Sequence, residues 1–347
     1  MELSSFLRFL LIIKITSVVL LIIKRCFINR PKTPLHKDMS GKVIVITGCS
    51  AGIGKETAKE LLNAGATIVW ACRDETKTMK IISEVNRADT KGKSVFIRLD
   101  LCSLQSVYDF YTEFKANFDR LDILINNAGA AVHEFIRTDD GLESTFQINH
   151  ISHTYLTALL LDSLSKSEDG RIIILSSDAH KFAKIDENYF KFSKEKFSFW
   201  NSYANSKLAN IFLGFALKSF CEEKNLDIKT VSVHPGAVAT EISKPENKPW
   251  YMRWFIYCLV YPIMFFFFKS NLIGAQTTLH TCYLERSKLV DGGYYSDCRE
   301  AKYGKSTTNK IDEEGINKFT KKVLTSQRTK EISDQNKNYR NFIESLY

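Results

Sequence analysis

One stretch of this chain constrains its fold more than any other. Val43-Ile44-Val45-Ile46 runs into Thr47-Gly48-Cys49-Ser50-Ala51-Gly52-Ile53-Gly54, and residues 55–62 continue with a helical pattern. A short β-branched run is the pattern of a strand buried on both faces, as parallel sheets require. Glycines at 48, 52 and 54 allow a tight turn and a close backbone approach to a ligand. The helix that follows offers free N–H groups and a favourable dipole at its start. Strand, glycine turn and helix in that order predict a dinucleotide site, with Gly48, Cys49, Ser50, Ala51, Gly52, Ile53 and Gly54 as candidate contacts. The spacing is G-x-x-x-G-x-G, not the G-x-G-x-x-G of the common fingerprint.

Five further strands follow at intervals that leave room for helices. Thr67-Ile68-Val69-Trp70-Ala71 ends at Cys72-Arg73-Asp74, where such folds read the adenosine ribose. An acidic residue there bonds a 2′-hydroxyl, whereas an arginine holds a 2′-phosphate. Arg73 comes first and favours NADP(H); Asp74 keeps NAD open. Residues 94–98 end at Asp100-Leu101, Ile123-Leu124-Ile125 runs into Asn126-Asn127-Ala128-Gly129, and Arg171-Ile172-Ile173-Ile174-Leu175 ends in Ser176-Ser177. Residues 229–233 lead into His234-Pro235-Gly236-Ala237-Val238-Ala239-Thr240. Twenty-six residues beyond Ser177 stands Tyr203-Ala204-Asn205-Ser206-Lys207, whose Tyr and Lys share one helix face at i and i+4. Reducing a carbonyl by hydride leaves an alkoxide that needs a proton, and a tyrosine hydroxyl can supply it. A free tyrosine has a pKa near 10, so a neighbouring ammonium that lowers it helps exchange near neutrality.

These motifs, in this order, resemble the short-chain dehydrogenase/reductase family, and the likeness runs from about 41 to about 296. The resemblance implies a catalytic set of Ser177, Tyr203 and Lys207, with Asn149 as a fourth member supporting a proton relay to the lysine. Ser177 would also bind the substrate oxygen, and Lys207 would bond the nicotinamide ribose. Asp100 and Leu101 would flank the adenine, and Asn127 and Gly129 would hold the central strand and admit the cofactor. Pro235, Gly236, Val238 and Thr240 would close over the nicotinamide. The expected architecture is a single α/β Rossmann-type domain: a doubly wound, parallel, seven-stranded sheet in the order 3-2-1-4-5-6-7. Gly54-Lys55-Glu56-Thr57-Ala58, Ala71-Cys72-Arg73-Asp74, Ser206-Lys207-Leu208-Ala209-Asn210 and Gly274-Ala275-Gln276-Thr277 resemble the microsomal retinol dehydrogenases in particular. That implies a retinoid or related lipid alcohol and aldehyde as substrate pair. Ketosteroids and lipid-peroxidation aldehydes remain alternatives, as does a non-catalytic NADP(H)-binding scaffold.

The ends of the chain bear on location. Residues 6–23 are apolar except for Arg8, Lys14, Thr16 and Ser17. Fourteen strongly apolar side chains there, at about −0.3 to −0.6 kcal/mol each, marginally outweigh two cations at about +2.5 to +3.5 each. No small-residue cleavage site follows, so 1–40 reads as an uncleaved membrane anchor and basic linker, spanning or lying in one leaflet. Lys24, Arg25, Arg30, Lys32 and Lys37 crowd its C-terminal flank and put the catalytic domain, 41–300, on the cytosolic side. The resemblance implies the endoplasmic reticulum. Membrane lipid and a lipophilic small molecule are the expected partners. The net charge of +9 is dispersed, no nucleic-acid module is recognisable, and self-association is allowed but not indicated. His150 and His153 lack a third ligand, and eight scattered cysteines indicate neither metal nor disulfide framework. Beyond 300 the chain is polar and lysine-rich, a basic tail that reads equally as helix or as disorder.

Residues 249–268 hold ten aromatics within twenty positions. A single crossing here would separate the two last strands of one sheet on opposite sides of a bilayer. The segment 245–270 therefore reads as an apolar lid dipping into the membrane, or as a helix packed on the core. Replacing several of these aromatics with serine is expected to weaken turnover of long-chain substrates while sparing short ones. Equal loss on both substrate lengths points to packing alone.

Overall fold

A computed structural model describes residues 37–86, 90–185, 189–236, 269–325 and 336–346. The apolar segment 6–23, Val238, Thr240 and nearly all of the aromatic segment 245–270 lie outside these residues. Among the described residues no helix is long and apolar enough to cross a membrane.

The β-branched runs form the predicted sheet. β1 (Val43–Thr47), β2 (Thr67–Cys72), β3 (Lys93–Arg98), β4 (Ile123–Asn126), β5 (Gly170–Leu175), β6 (Ile228–His234) and β7 (Tyr294–Ser296) all run parallel to one another. The helices are α1 (Gly52–Asn63), α2 (Glu75–Val85), α3 (Leu104–Asn117), α4 (Ser152–Leu164), α5 (Phe199–Glu223) and α6 (Asn271–Tyr283). Side chains alternate across each strand, so the sheet feeds two cores. Val45, Val69, Leu124, Ile172 and Ile174 pack with α3, α4 and α5. Ile44, Ile46, Ile68, Trp70, Ile123, Ile125 and Ile173 pack with α1, α2 and α6. Burial on both faces is why these strands read as unbroken apolar runs.

The strand order is β3-β2-β1-β4-β5-β6-β7-β8, so the expected seven-stranded order gains an eighth strand. β8 (Arg299–Ala301) pairs antiparallel with β7 through a two-residue turn at Asp297 and Cys298. Both turn residues have positive φ, 54° and 57°, the geometry that matches the twist of a tight hairpin. Asp-Cys is not a dipeptide that advertises such a turn, which is why the strand was not read from sequence.

The chain beyond 300 is also part of the core where it is described. α7 (Lys310–Leu324) and α8 (Lys337–Ser345) bury Ile316, Leu324, Tyr339, Phe342 and Ile343 in the α3–α4–α5 core. Tyr339 donates to the Leu324 carbonyl at 2.8 Å, Asn336 Nδ2 donates to Leu159 O at 3.0 Å, and the Phe342 ring meets Phe220 edge-on at 5.3 Å. A few apolar residues at helical spacing among many lysines are a weak signal; the docking partner makes the helix. Phe342→Ala should cost about 3–5 kcal/mol, as for other buried aromatic truncations. Thermal unfolding checks this: a midpoint lowered by several degrees is expected, and an unchanged midpoint would show that α8 docks without stabilising.

Candidate active site

The glycine turn is shaped by its neighbours. Gly48 and Gly52 have φ of +63° and +57°, which side-chain-bearing residues adopt only with strain. A Cβ on Gly48 would lie 2.8 Å from Ala128 Cβ, and one on Gly54 would lie 2.4 Å from Asn127 Nδ2. Gly48 and Gly54 thus let the turn sit against the end of β4. Helix α1 begins at Gly52 behind Ala51, with no side-chain cap, whereas Asp74, Ser103, Ser198 and Ser270 cap α2, α3, α5 and α6. The first-turn N–H groups of α1 are thereby left to face the cleft above the sheet.

The Thr47 hydroxyl ties this turn to the switch point. It accepts from the backbone N–H of Asn127 and of Ala128, both at 2.9 Å, and lies 2.9 Å from His153 Nε2. His153 Nδ1 lies 3.1 Å from the Asn149 carbonyl, which only accepts, so Nδ1 carries the proton and Nε2 accepts from Thr47. Burial holds the His153 pKa down at about 4, and the ring is neutral at pH 7. Asn127 Nδ2 donates to Thr47 O at 2.7 Å, and Asn126 Nδ2 donates to Thr157 on α4 at 2.8 Å.

Two depressions open along the carboxyl ends of the strands. One, about 250 Å³, is lined by Gly48, Ala51, Gly52, Ile53, Gly54, Asn127, Gly129, Ser177, Tyr203, Lys207, Pro235 and Gly236. The other, about 320 Å³, is lined by Ser50, Cys72, Arg73, Asp74, Asp100 and Leu101 and shares Gly48 and Gly129 with the first. Together they form one cleft across the switch point, with the glycine turn where the pyrophosphate of a dinucleotide lies in such folds. Two of the expected site residues are buried beside the cleft rather than lining it. The Cys49 side chain is fully buried, 3.6 Å from Cys72 Sγ. Asn149 is also fully buried, in a π-helical turn (Gln147–Ile151) that leads into α4. There Nδ2 donates to Ala130 O and Ser206 Oγ at 2.8 and 2.9 Å, and Oδ1 accepts from Ala130 N at 2.7 Å. Val238 and Thr240 lie outside the described residues.

At the nicotinamide end, α5 presents Tyr203 and Lys207 side by side. Lys207 Nζ lies 5.7 Å from the centre of the Tyr203 ring and donates to Leu175 O at 3.1 Å, a carbonyl that Asn210 also holds at 3.0 Å. Burial pulls the ammonium pKa down to about 8, which leaves it protonated about ten to one at pH 7. Burial also raises Tyr203 above its ordinary value, and a hydrogen bond with Ser177 opposes the rise. The lowered tyrosine pKa expected from the lysine is therefore not what these contacts produce: desolvation outweighs the Ser177 hydrogen bond. Ser177 stands at the end of β5, where its hydroxyl accepts from Ala179 N at 3.2 Å and caps the 3-10 turn Asp178–Phe182. Thr47, His153 and Ser206 support the site without having been singled out for it. A polar residue ending a β-branched strand, as Thr47 does, was the available signal.

The comparisons agree with this geometry. The family model described as short chain dehydrogenase matches residues 42–250. Retinol dehydrogenase 12 of Mus musculus is 39% identical over 274 residues, covering 79% of this chain and 83% of the relative. Retinol dehydrogenase 11 of Homo sapiens is 38% identical over 268 residues, 76% of this chain and 80% of the relative. WW domain-containing oxidoreductase of Gallus gallus is 32% identical over 299 residues, 84% of this chain and 70% of the relative. Among solved structures, an uncharacterized protein from Mycobacterium Paratuberculosis superposes with a TM-score of 0.64 at 24% identity, covering 85% of this chain and 96% of that one. A short chain dehydrogenase from Shigella flexneri complexed with NADP does so at 0.54 and 22% identity, covering 75% and 98%. The chain belongs to the short chain dehydrogenase family and is an oxidoreductase acting on CH–OH groups.

Proposed function

We propose that this protein reduces a lipophilic aldehyde, of the retinal class, with NADPH. The observation that carries the cofactor choice is the division of labour at the end of β2. Both Arg73 and Asp74 line the adenosine end of the cleft, but the Asp74 carboxylate also accepts from Lys77 N at 2.9 Å and caps α2. A carboxylate committed to a helix cap is poorly placed to bond a ribose 2′-hydroxyl, and a guanidinium beside it suits a 2′-phosphate. The substrate class is supported by the names of the relatives at 38–39% identity, which are retinol dehydrogenases.

NADPH supplies the hydride when bound. Gly48, Ser50, Ala51, Gly52, Ile53 and Gly54 would hold its pyrophosphate, Asp100 and Leu101 its adenine, and Asn127, Gly129, Pro235 and Gly236 its nicotinamide half. Ser177 hydrogen-bonds the carbonyl oxygen, and Tyr203 gives its phenolic proton to that oxygen as negative charge develops there. The buried Lys207 ammonium stabilises the phenolate left behind and bonds the ribose. Asn149 holds the loop at Ala130 and the Ser206 hydroxyl, and so positions the face of α5 that carries both residues. Segment 6–23 attaches the chain to the endoplasmic reticulum membrane with the catalytic domain in the cytosol, and 245–270 admits the substrate from the lipid.

NADPH oxidation by detergent-solubilised protein with all-trans-retinal tests this, with NADH as the control. Turnover should need NADPH and fall about 10²- to 10⁴-fold in Tyr203→Phe, the range for losing a general acid. NADPH binding without retinal turnover would move the substrate to steroids or other lipid carbonyls; full activity in Tyr203→Phe would sink the mechanism. Arg73→Ala should cost about 1.5–3 kcal/mol of NADPH affinity, roughly 10- to 100-fold, with little change for NADH. Equal effects on both nucleotides in fluorescence titrations would remove Arg73 as the phosphate reader.

A further inference from the structure

Two thiols meet beneath the dinucleotide cleft. Cys49 follows Gly48 in the glycine turn, Cys72 ends β2, and their Sγ atoms are 3.6 Å apart. Gly48 N donates to Ala71 O at 3.0 Å and holds the two backbones side by side. Their surroundings differ. Cys49 is sealed from solvent, with its proton within reach of the Ile46 carbonyl at 3.2 Å, and burial pushes its pKa up. Cys72 is drawn down to about 7, first by the Cys49 thiol and then, against the effect of burial, by the backbone of Cys49. Cys72 is buried too, at 3% exposure, but that remnant lines the adenosine end of the cleft next to Arg73, the side from which a small oxidant has to approach. A thiolate with a second thiol in contact is the arrangement of a reversible redox site.

We propose that Cys49 and Cys72 form a dithiol site that a hydroperoxide closes to a disulfide, and that the closed form binds the dinucleotide weakly. In the first step the Cys72 thiolate attacks a peroxide oxygen. The O–O bond breaks, Cys72 becomes a sulfenic acid, and the expelled hydroxide takes a proton to leave as water. In the second the Cys49 sulfur attacks the sulfenic sulfur. The S–S bond forms, the S–O bond breaks, and hydroxide leaves with the Cys49 proton as a second water. Two thiols lose two electrons and two protons, and hydrogen peroxide becomes two waters.

The consequence for binding is geometric. A disulfide needs its sulfurs about 2.05 Å apart, so the pair closes by roughly 1.5 Å. Gly48 and Ser50, on either side of Cys49, line the cleft, and Arg73 follows Cys72. Closure therefore moves either the turn that holds the pyrophosphate or the guanidinium at the ribose. Linkage makes the effect reciprocal: a dinucleotide that favours the open form protects the thiols. This rests on the cofactor reading above.

The test treats the full-length, detergent-solubilised protein with hydrogen peroxide, then maps thiols by alkylation and peptide mass. NADPH and NADH are titrated by fluorescence before oxidation, after it, and after dithiothreitol. The expected result is a peptide pair joined through Cys49 and Cys72 and lighter by two hydrogens. The NADPH Kd should rise about tenfold or more, the size of a typical coupling between linked sites, and dithiothreitol should restore it. Saturating NADPH should slow the crosslink by a similar factor. In Cys49→Ala, and separately in Cys72→Ala, peroxide should leave each variant at its own reduced affinity. An equal loss in Cys49→Ala would assign the effect to Cys72 alone and overturn the pair. So would two thiols still open to alkylation once Cys102 is oxidised, or a disulfide that leaves the Kd unchanged. A reduced chain that binds neither nucleotide overturns the cofactor reading and this inference together. One that binds and ignores oxidation overturns only the inference.

Discussion

The Thr47 hydroxyl is the contact on which the rest of the site depends. At the switch point β1 and β4 are neighbours whose following chains turn to opposite faces of the sheet, which opens a crevice there. Backbone groups at such an opening lose their ladder partners and need others. Thr47 receives two of them, the N–H groups of Asn127 and Ala128, and passes its own proton to a neutral His153. Through His153 and the Asn149 carbonyl, the same network reaches the π-helical turn that leads into α4. The glycine turn, the Asn-Asn-Ala-Gly loop and the Asn149 turn are thereby held by one set of buried hydrogen bonds.

Burial sets the chemistry at the other end of the cleft. Tyr203 and Lys207 lie on a helix whose surroundings penalise charge on both, raising the tyrosine pKa above its ordinary value and lowering that of the lysine below its own. Free tyrosine and lysine side chains titrate close together, near 10, so burial drives the two values apart and keeps the phenol protonated, ready to give its proton to the substrate oxygen. Excluding water thus keeps the phenol an acid, and the backbone carbonyl of Leu175 holds the ammonium in place.

The end of β2 carries several functions within three residues. Cys72 contacts Cys49, Arg73 faces the cleft, and Asp74 caps the next helix. The strand must stop here because the cleft begins, and α2 must start here to cover the sheet. Its carboxylate cap engages one of the two charged side chains at this strand end.

The sequence by itself determined the sheet and most of the cleft. β-branched runs, glycines with positive φ and an i, i+4 Tyr–Lys pair are local patterns, and local patterns are written within a few residues. Arg73, Asp100, Ser177, Tyr203 and Lys207 could be named because the strand ends that carry them could be named. The tertiary structure decided what depends on partners distant in sequence. Nothing near Cys49 indicates that Cys72 lies against it, nor does the polar pattern of 301–347 say that Phe342 will meet Phe220. The role of Asn149 as a brace for Ala130 and Ser206, and the upward shift of Tyr203, follow from desolvation and hydrogen bonds that exist only once three elements have packed. Sequence periodicity reports which face of an element is apolar; it carries no information on which polar groups that packing will strip of water, and those groups set the chemistry.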